Sequence, residues 1–223
     1  ARLYHNVALL MPDARIFVAG GNTSRATVFA RPTPHPQKTF PSGQPKPDLS
    51  AVDVDMYFYG DGPMGKFEKG SLQVPTETWT AEMFSPPYLF IDPGRRASIA
   101  SIEPAGTVPY QSKATLQGKT YYLVHSGDSF DVKLDGLPEC NAANGLLSLI
   151  KLPAPSHGWD SGQLMIAVPF QVTGPGRIRF RTPDMRTANA PPAFYMMFYM
   201  DCRGKPTVAQ MVRFDDTAKS PLD

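Results

Sequence analysis

A tyrosine followed directly by a histidine, Tyr4-His5, stands in the apolar stretch LYHNVALLM, and a further histidine, His157, stands far downstream in LPAPSHGWD. Phenol and imidazole groups bind metals and move protons. Taken alone the Tyr-His dipeptide is common and specifies neither, so the elements around it must decide. The other two histidines, His35 and His125, read as solvated residues of a loop and of a strand end, and no role falls to them. Cys140 and Cys202 are the only cysteines. One internal disulfide and two free thiols are both open; a bridge closing so long a loop would contribute about 4 kcal/mol. Asn22-Thr23-Ser24 forms an N-glycosylation sequon. The acids of AVDVDMYFYGDGPMGKF miss the spacing of a calcium loop. Trp159 could stack on a sugar, but a tryptophan beside a glycine in a loop reads first as a packing anchor.

The elements that must position these groups are short and extended. Residues 1–22 read as strand, turn, strand: LYHNVALLM, then PDA, then RIFVAGG. A hairpin alone is marginal in water, and nothing directly after it supplies the sheet it should join. Residues 31–47 are proline-rich, which removes ladder donors and favours extended backbone, so they read as an exposed loop or linker. AVDVDMYFYGDGPMGKF is expected to hold a short strand and a turn. SLQVPTETWTAEMFSPPYLF closes on a double proline before an aromatic, a junction between modules. From about residue 98 strands follow at sandwich spacing: ASIASIE, KTYYLVH, SFDVKL, LLSLIKL, QLMIAVPF, RIRFRT, FYMMFYM and TVAQMVRF. In SFDVKL, Phe130, Val132 and Leu134 alternate with Asp131 and Lys133, so one face packs and the other meets water. In FYMMFYM the methionines read as gap-fillers of a buried strand rather than as copper ligands.

At 223 residues with 42% hydrophobic content, the chain can bury an ordinary core, and 24 prolines with 18 glycines argue against a helical protein. The fold class expected is all-β. A net charge of +2, from 22 basic and 20 acidic residues spread along the chain, offers no basic stripe for nucleic acid. No apolar run approaches the roughly 18 residues of a membrane span, and the first residues lack signal-peptide order.

Five stretches together resemble the C-terminal third of the galactose oxidase and glyoxal oxidase family of copper radical oxidases. RLYHNVALLMPDARIFVAGGN resembles the family's Tyr-His strand, its Pro-Asp turn and the glycine-rich end of a kelch propeller blade. VPTETWTAEMFSPPYLF resembles its acidic-aromatic segment, nearer the glyoxal oxidase branch. GRRASIASIEP resembles the first strand of its terminal immunoglobulin-like domain, APSHGWDSGQLMIAV the loop that delivers a histidine to copper, and APPAFYMMFYMDCRGKPTVAQMVRF its closing hairpin.

The resemblance implies residues 1–87 as the remnant of a last propeller blade with a proline-rich insertion, and residues 88–223 as an immunoglobulin-like β-sandwich. It implies one copper ion held by Tyr4, His5 and His157, with Tyr4 the axial phenolate and the base that takes the substrate's hydroxyl proton. Sharing one ion requires a backbone break or strand end, because a regular strand turns Tyr4 and His5 to opposite faces. The family's radical tyrosine and its cross-linked cysteine precede the Tyr-His strand, so this chain is expected to act only with the remainder of the propeller, in the same or a separate chain. The activity implied is extracellular oxidation of a primary alcohol, aldehyde or carbohydrate by dioxygen, giving hydrogen peroxide. Some positions depart from the family pattern. Gln163 is followed by Leu164 rather than arginine, and Ala14 stands where the turn usually has glycine, at roughly 1 kcal/mol if it is left-handed. Two other readings stay open: a non-catalytic relative built into an extracellular coat or filament, and a carbohydrate-binding module using Trp159.

Overall fold

The computed structural model of the chain describes residues 4–22, 26–30, 54–58, 62–66, 80–139, 141–156, 159–160 and 162–223. Its strands in chain order are β1 (Tyr4–Leu10), β2 (Ile16–Asn22), β3 (Ala26–Ala30), β4 (Val54–Phe58), β5 (Gly62–Lys66), β6 (Ala81–Phe84), β7 (Ser98–Pro104), β8 (Lys113–Leu116) and β9 (Lys119–Val124). There follow β10 (Ser129–Asp135), β11 (Leu146–Lys151), β12 (Pro155–Ser156), β13 (Trp159–Asp160), β14 (Met165–Val168), β15 (Phe170–Gly174), β16 (Arg177–Arg181), β17 (Ala193–Met200) and β18 (Gln210–Phe214). Among the described residues the only helices are two short 3-10 turns, so the protein is all-β. None is long and apolar enough to cross a membrane. The chain divides into two compact units. One comprises Ala1–Ala8, Val18–Glu82 and Ser156–Trp159; the other comprises Leu9–Phe17, Met83–Pro155 and Asp160–Asp223.

The hairpin does find a sheet. β1, β2 and β6 hydrogen-bond in that order, so the third strand comes from the AEMF segment downstream rather than from the residues that directly follow. In the first unit β3, β4 and β5 form an antiparallel meander, with Ala26 opposite Phe58 and Asp55 opposite Lys66, and a register shift between Met56 and Tyr57.

The second unit is a two-sheet sandwich. Four strands run in the order β15-β16-β10-β7 and six in the order β14-β11-β17-β18-β9-β8. β18 and β9 pair in parallel, Val212 opposite Tyr122. The alternation in SFDVKL is realised: Phe130, Val132 and Leu134 are buried, and Asp131 turns outward to meet Arg179 across the β10–β16 ladder at 2.7 Å. These inward residues join Ile178 and Phe180 from β16 and face Leu147, Leu149, Tyr195, Met197, Tyr199, Val212 and Phe214 from the larger sheet. Two buried phenols satisfy their hydroxyls on backbone, Tyr195 on the Pro191 carbonyl at 2.8 Å and Tyr199 on the Ala142 carbonyl at 2.9 Å.

β17 is buried on both sides. Tyr195, Met197 and Tyr199 point into the sandwich, while the alternate residues Met196 and Phe198 form a second cluster with Ala14 and Ala209, against which Leu10, Tyr88, Leu89, Ile150 and Met211 pack. A strand covered on both faces reads as a continuous apolar run rather than an alternating one, which is why AFYMMFYM carries no polar position but two phenol hydroxyls.

Candidate metal centre

Tyr4 and His5 occupy the first two positions of β1, described there by backbone alone, and His157 lies outside the described residues, as do His35 and Cys140. For the Tyr-His pair to share an ion, the chain must leave regular extended geometry at this end of β1. Among the described residues no group of three or more His, Cys, Asp or Glu side chains gathers as a metal site. The donor chemistry of the predicted set is nonetheless apt for copper, since one phenolate oxygen and two imidazole nitrogens suit the tetragonal geometry of Cu(II). Two features next to these positions in the chain are described: the strands and bonds flanking position 157, and the turn at the far end of β1.

The segments flanking position 157 are joined at Lys151. Its N–H donates to the Leu164 carbonyl at 2.8 Å and its Nζ to the Gly162 carbonyl at 3.1 Å, while Leu152 donates to Phe194 at 3.2 Å. β12 and β13 pair as a two-stranded ladder. Leu164, the residue that departs from the family's arginine, packs against the sandwich core and lends its carbonyl to Lys151.

At its other end β1 runs into the loop Met11-Pro12-Asp13-Ala14-Arg15. Met11 N–H donates to the Arg15 carbonyl and Ala14 N–H to the Met11 carbonyl, both at 2.8 Å. Ala14 has φ 64°, the left-handed last residue of a three-residue hairpin loop. The strain expected of an alanine here is present. Asp13 braces the loop from within, taking the Arg15 N–H at 3.1 Å and the Arg15 Nε at 2.7 Å.

Three successive carbonyls of this loop are each taken by a different part of the sandwich unit. Ala209 N–H donates to Pro12 at 2.7 Å, Arg96 to Asp13 at 2.8 Å, and the Tyr88 hydroxyl to Ala14 at 2.7 Å. Arg96 spreads its guanidinium further, onto the Pro206 carbonyl at 2.8 Å and the Thr207 carbonyl at 3.0 Å. Burial pulls the Arg96 guanidinium below its usual pKa and the Tyr88 phenol above its own. Burial likewise raises Asp13, but the bonds and charge of Arg15 and the charge of Arg96 outweigh it, so the carboxyl sits below the usual range. Neither Tyr88 nor Arg96 is singled out by residue type. Their only signal in the sequence is membership of PPYLF and GRRASIASIEP.

Beside this contact the closing turn after β17 is tied by Asp201. Its carboxylate accepts the N–H groups of Arg203 at 2.9 Å and Lys205 at 3.1 Å and the Arg203 guanidinium at 3.0 Å. Lys205 is buried, its ammonium on the carbonyls of Ile91 at 2.9 Å and Asp92 at 3.0 Å. Cys202 is disulfide-bonded, so it is not a free thiol. His125 differs from expectation. It is half-buried, stacked on Tyr110 with ring centroids 3.8 Å apart, and its Nε2 lies 2.9 Å from the Ala218 carbonyl, so it is a packed residue of the sandwich rather than a solvated one.

Residues 111–214 match the family described as Galactose oxidase-like, Early set domain. Among solved structures, one described as a novel fungal alcohol oxidase with catalytic diversity among the AA5 family, in complex with copper, shares the fold at a TM-score of 0.50 and 19% identity. That likeness covers 94% of this chain and 42% of the other, so the chain spans less than half the length of that oxidase. No curated protein sequence matches. Within the β-sandwich, residues 111–214 are thus similar to a galactose oxidase-like Early set domain, and the chain shares its fold with that copper-bound alcohol oxidase.

Proposed function

We propose that the chain is the C-terminal part of an extracellular copper radical oxidase, which oxidises a primary alcohol or aldehyde with dioxygen once the remainder of the propeller is present. The observation that carries the reading is the match of residues 111–214 to a galactose oxidase-like Early set domain, together with a fold shared over 94% of the chain with a copper-bound fungal alcohol oxidase.

Tyr4, His5 and His157 would hold the copper through one phenolate and two imidazoles. Copper, when bound, supplies the electron-accepting chemistry of the site. The Tyr4 phenolate would take the proton of the substrate hydroxyl. The two electrons and two protons removed from the alcohol pass to dioxygen, giving aldehyde and hydrogen peroxide. The disulfide at Cys202 supports an oxidising compartment, and with it the extracellular assignment. The intact protein loaded with copper and oxidised is expected to release hydrogen peroxide from galactose or simple aldehydes, and His157→Ala to abolish copper retention. A fully loaded, oxidised preparation that yields no peroxide would reject the enzymatic reading.

A further inference from the structure

We propose that the cleft between the turn at residues 126–128 and the segment 181–184 binds a neutral saccharide, with Arg181 donating to its hydroxyls and Asp184 accepting from them. The site lies wholly within the sandwich unit and is independent of the copper reading and of Trp159.

The cleft has a volume of about 610 Å³, within the range of small-molecule sites. Its two walls are tied together by backbone. Gly127 N–H donates to the Thr182 carbonyl at 2.9 Å, and Thr182 N–H returns a bond to the Asp128 carbonyl at 2.8 Å. Ser126 is held at both its polar ends, its N–H on Asp216 Oδ1 at 2.6 Å and its Oγ under the Met185 N–H at 3.0 Å. Acting there as an acceptor, the Ser126 hydroxyl keeps its own proton to donate. Arg181 is exposed, yet its guanidinium is placed: Nε donates to the Gly127 carbonyl at 2.9 Å, and a Cβ at Gly127 would lie 3.4 Å from Nη2. Among the described residues its terminal nitrogens Nη1 and Nη2 make no hydrogen bond or ion pair. Asp184 supplies the opposite polarity. Its Oδ1 takes the N–H groups of Arg186 at 2.7 Å and Thr187 at 3.3 Å, which hold the carboxyl below its usual range, and its Oδ2 makes no bond among the described residues. Thr182, 2% exposed, also lines the cleft, with its Oγ1 buried and without a partner. A buried hydroxyl is normally bonded, so one left over beside a cleft points to an interaction that something entering it completes.

The pair of charges decides the ligand class. A guanidinium with free donors attracts an anion, but an ionised carboxylate with a free oxygen in the same cleft repels one, and the converse holds for a cation. A sugar hydroxyl both donates and accepts, so neighbouring hydroxyls of one ring can take a bond from Arg181 and give one to Asp184. Pro169 and Pro183 add apolar lining for the C–H groups of the ring. The experiment titrates the ¹⁵N-labelled full chain, free of copper, with galactose, glucose, mannose and lactose, and separately with sodium phosphate, following the amides of Gly127 and Thr182 and the Arg181 Nε–H by nuclear magnetic resonance. At least one sugar is expected to shift these signals saturably. Arg181→Met keeps the stem and loses the donors. Asp184→Asn still accepts the two backbone N–H groups but exchanges the free carboxylate oxygen for a donor. Each should weaken sugar binding about tenfold. Asp184→Asn also separates the ligand classes by sign, since losing the negative charge strengthens phosphate binding while it weakens sugar binding. No saturable shift with any of the four sugars overturns the proposal, as does sugar binding left unchanged by both variants. A response to phosphate alone makes the cleft an anion site and overturns it too. If Arg181→Met does not fold, Asp184→Asn decides by the same criteria. The readout is local and copper is absent, so failure here leaves the oxidase reading standing.

Discussion

Replacing Ala14 by glycine should change stability very little, although a glycine is the residue the turn geometry asks for. Three effects compete. Ala14 has φ 64°, and releasing an L-residue from that region returns about 1–2 kcal/mol. Against this, glycine frees the unfolded chain, which takes back about 0.5–1 kcal/mol. The Ala14 methyl is also 2% exposed, packed in the cluster with Met196, Phe198 and Ala209, so its removal loses about 0.8 kcal/mol of burial. Gain and losses nearly cancel, and the net effect should lie within about 0.5 kcal/mol. Urea denaturation followed by circular dichroism measures it directly. A gain above about 1.5 kcal/mol would mean the buried methyl contributes nothing, and a loss above about 2 kcal/mol would mean the left-handed backbone carries no strain. Either result breaks the account of why this chain tolerates alanine at the tip of its hairpin.

Other perturbations test the sandwich itself. Asp201→Ala strips two backbone N–H groups and a guanidinium of one buried carboxylate and should lose about 3 kcal/mol, a fall in melting temperature of roughly 6–12 °C; a loss below about 1 kcal/mol would show that water or Asp92 replaces it. The acid limb follows from the same group and from Asp215. Burial raises both carboxyls, but hydrogen bonds to Asp201 from Lys205 and Arg203, and to Asp215 from Thr217 and Arg213, hold them below the ordinary 3.8. Their stabilisation is complete above that value and disappears as pH falls through the lower folded values, so melting temperature should drop below about pH 4 and stay flat above pH 5. A melting temperature that starts to fall between pH 7 and 5 would assign the transition to other groups. Gly145→Ala would place a methyl 2.4 Å from the Tyr199 hydroxyl and 2.7 Å from the Met200 carbonyl, beside the fully buried Tyr199 ring, and should lose about 3 kcal/mol. Gly106→Ala meets nothing within 4 Å and is the near-neutral control; equal losses in the two would discredit the clash.

Much of the sandwich was legible because period-two alternation is written locally. SFDVKL announces its buried face residue by residue, and β10 has that face in the core. The turn MPDAR was legible too, down to the strain at Ala14, because loop length and residue type determine its backbone. The candidate site is legible in a different way. Tyr4, His5 and His157 can be named by donor type and motif, but whether they meet depends on backbone placement that no local pattern encodes. What holds the turn at the end of β1 was not legible. Tyr88 and Arg96 act on partners more than 70 residues away, and an arginine that bonds carbonyls looks in sequence like any solvated cation. Buried Lys205 fails for the same reason: its partners are backbone oxygens of Ile91 and Asp92, which have no signature in residue type.

AFYMMFYM shows how far a sequence pattern can point beyond its own element. A strand in a two-layer sandwich needs apolar residues on one face only, and β10 obeys that rule. β17 does not: Met196 and Phe198 stand where the rule asks for polar groups, and both are buried. An unbroken apolar run in an antiparallel sheet therefore requires a third layer on its outer side. Here that layer is assembled from Leu10, Ala14, Tyr88 and Leu89, residues whose local sequences give no hint of a common destination. The same contact that keeps Met196 and Phe198 dry brings Tyr88 to the Ala14 carbonyl. The apolar excess of β17 and the clamp on the hairpin are thus one feature, and weakening either should be felt at the other.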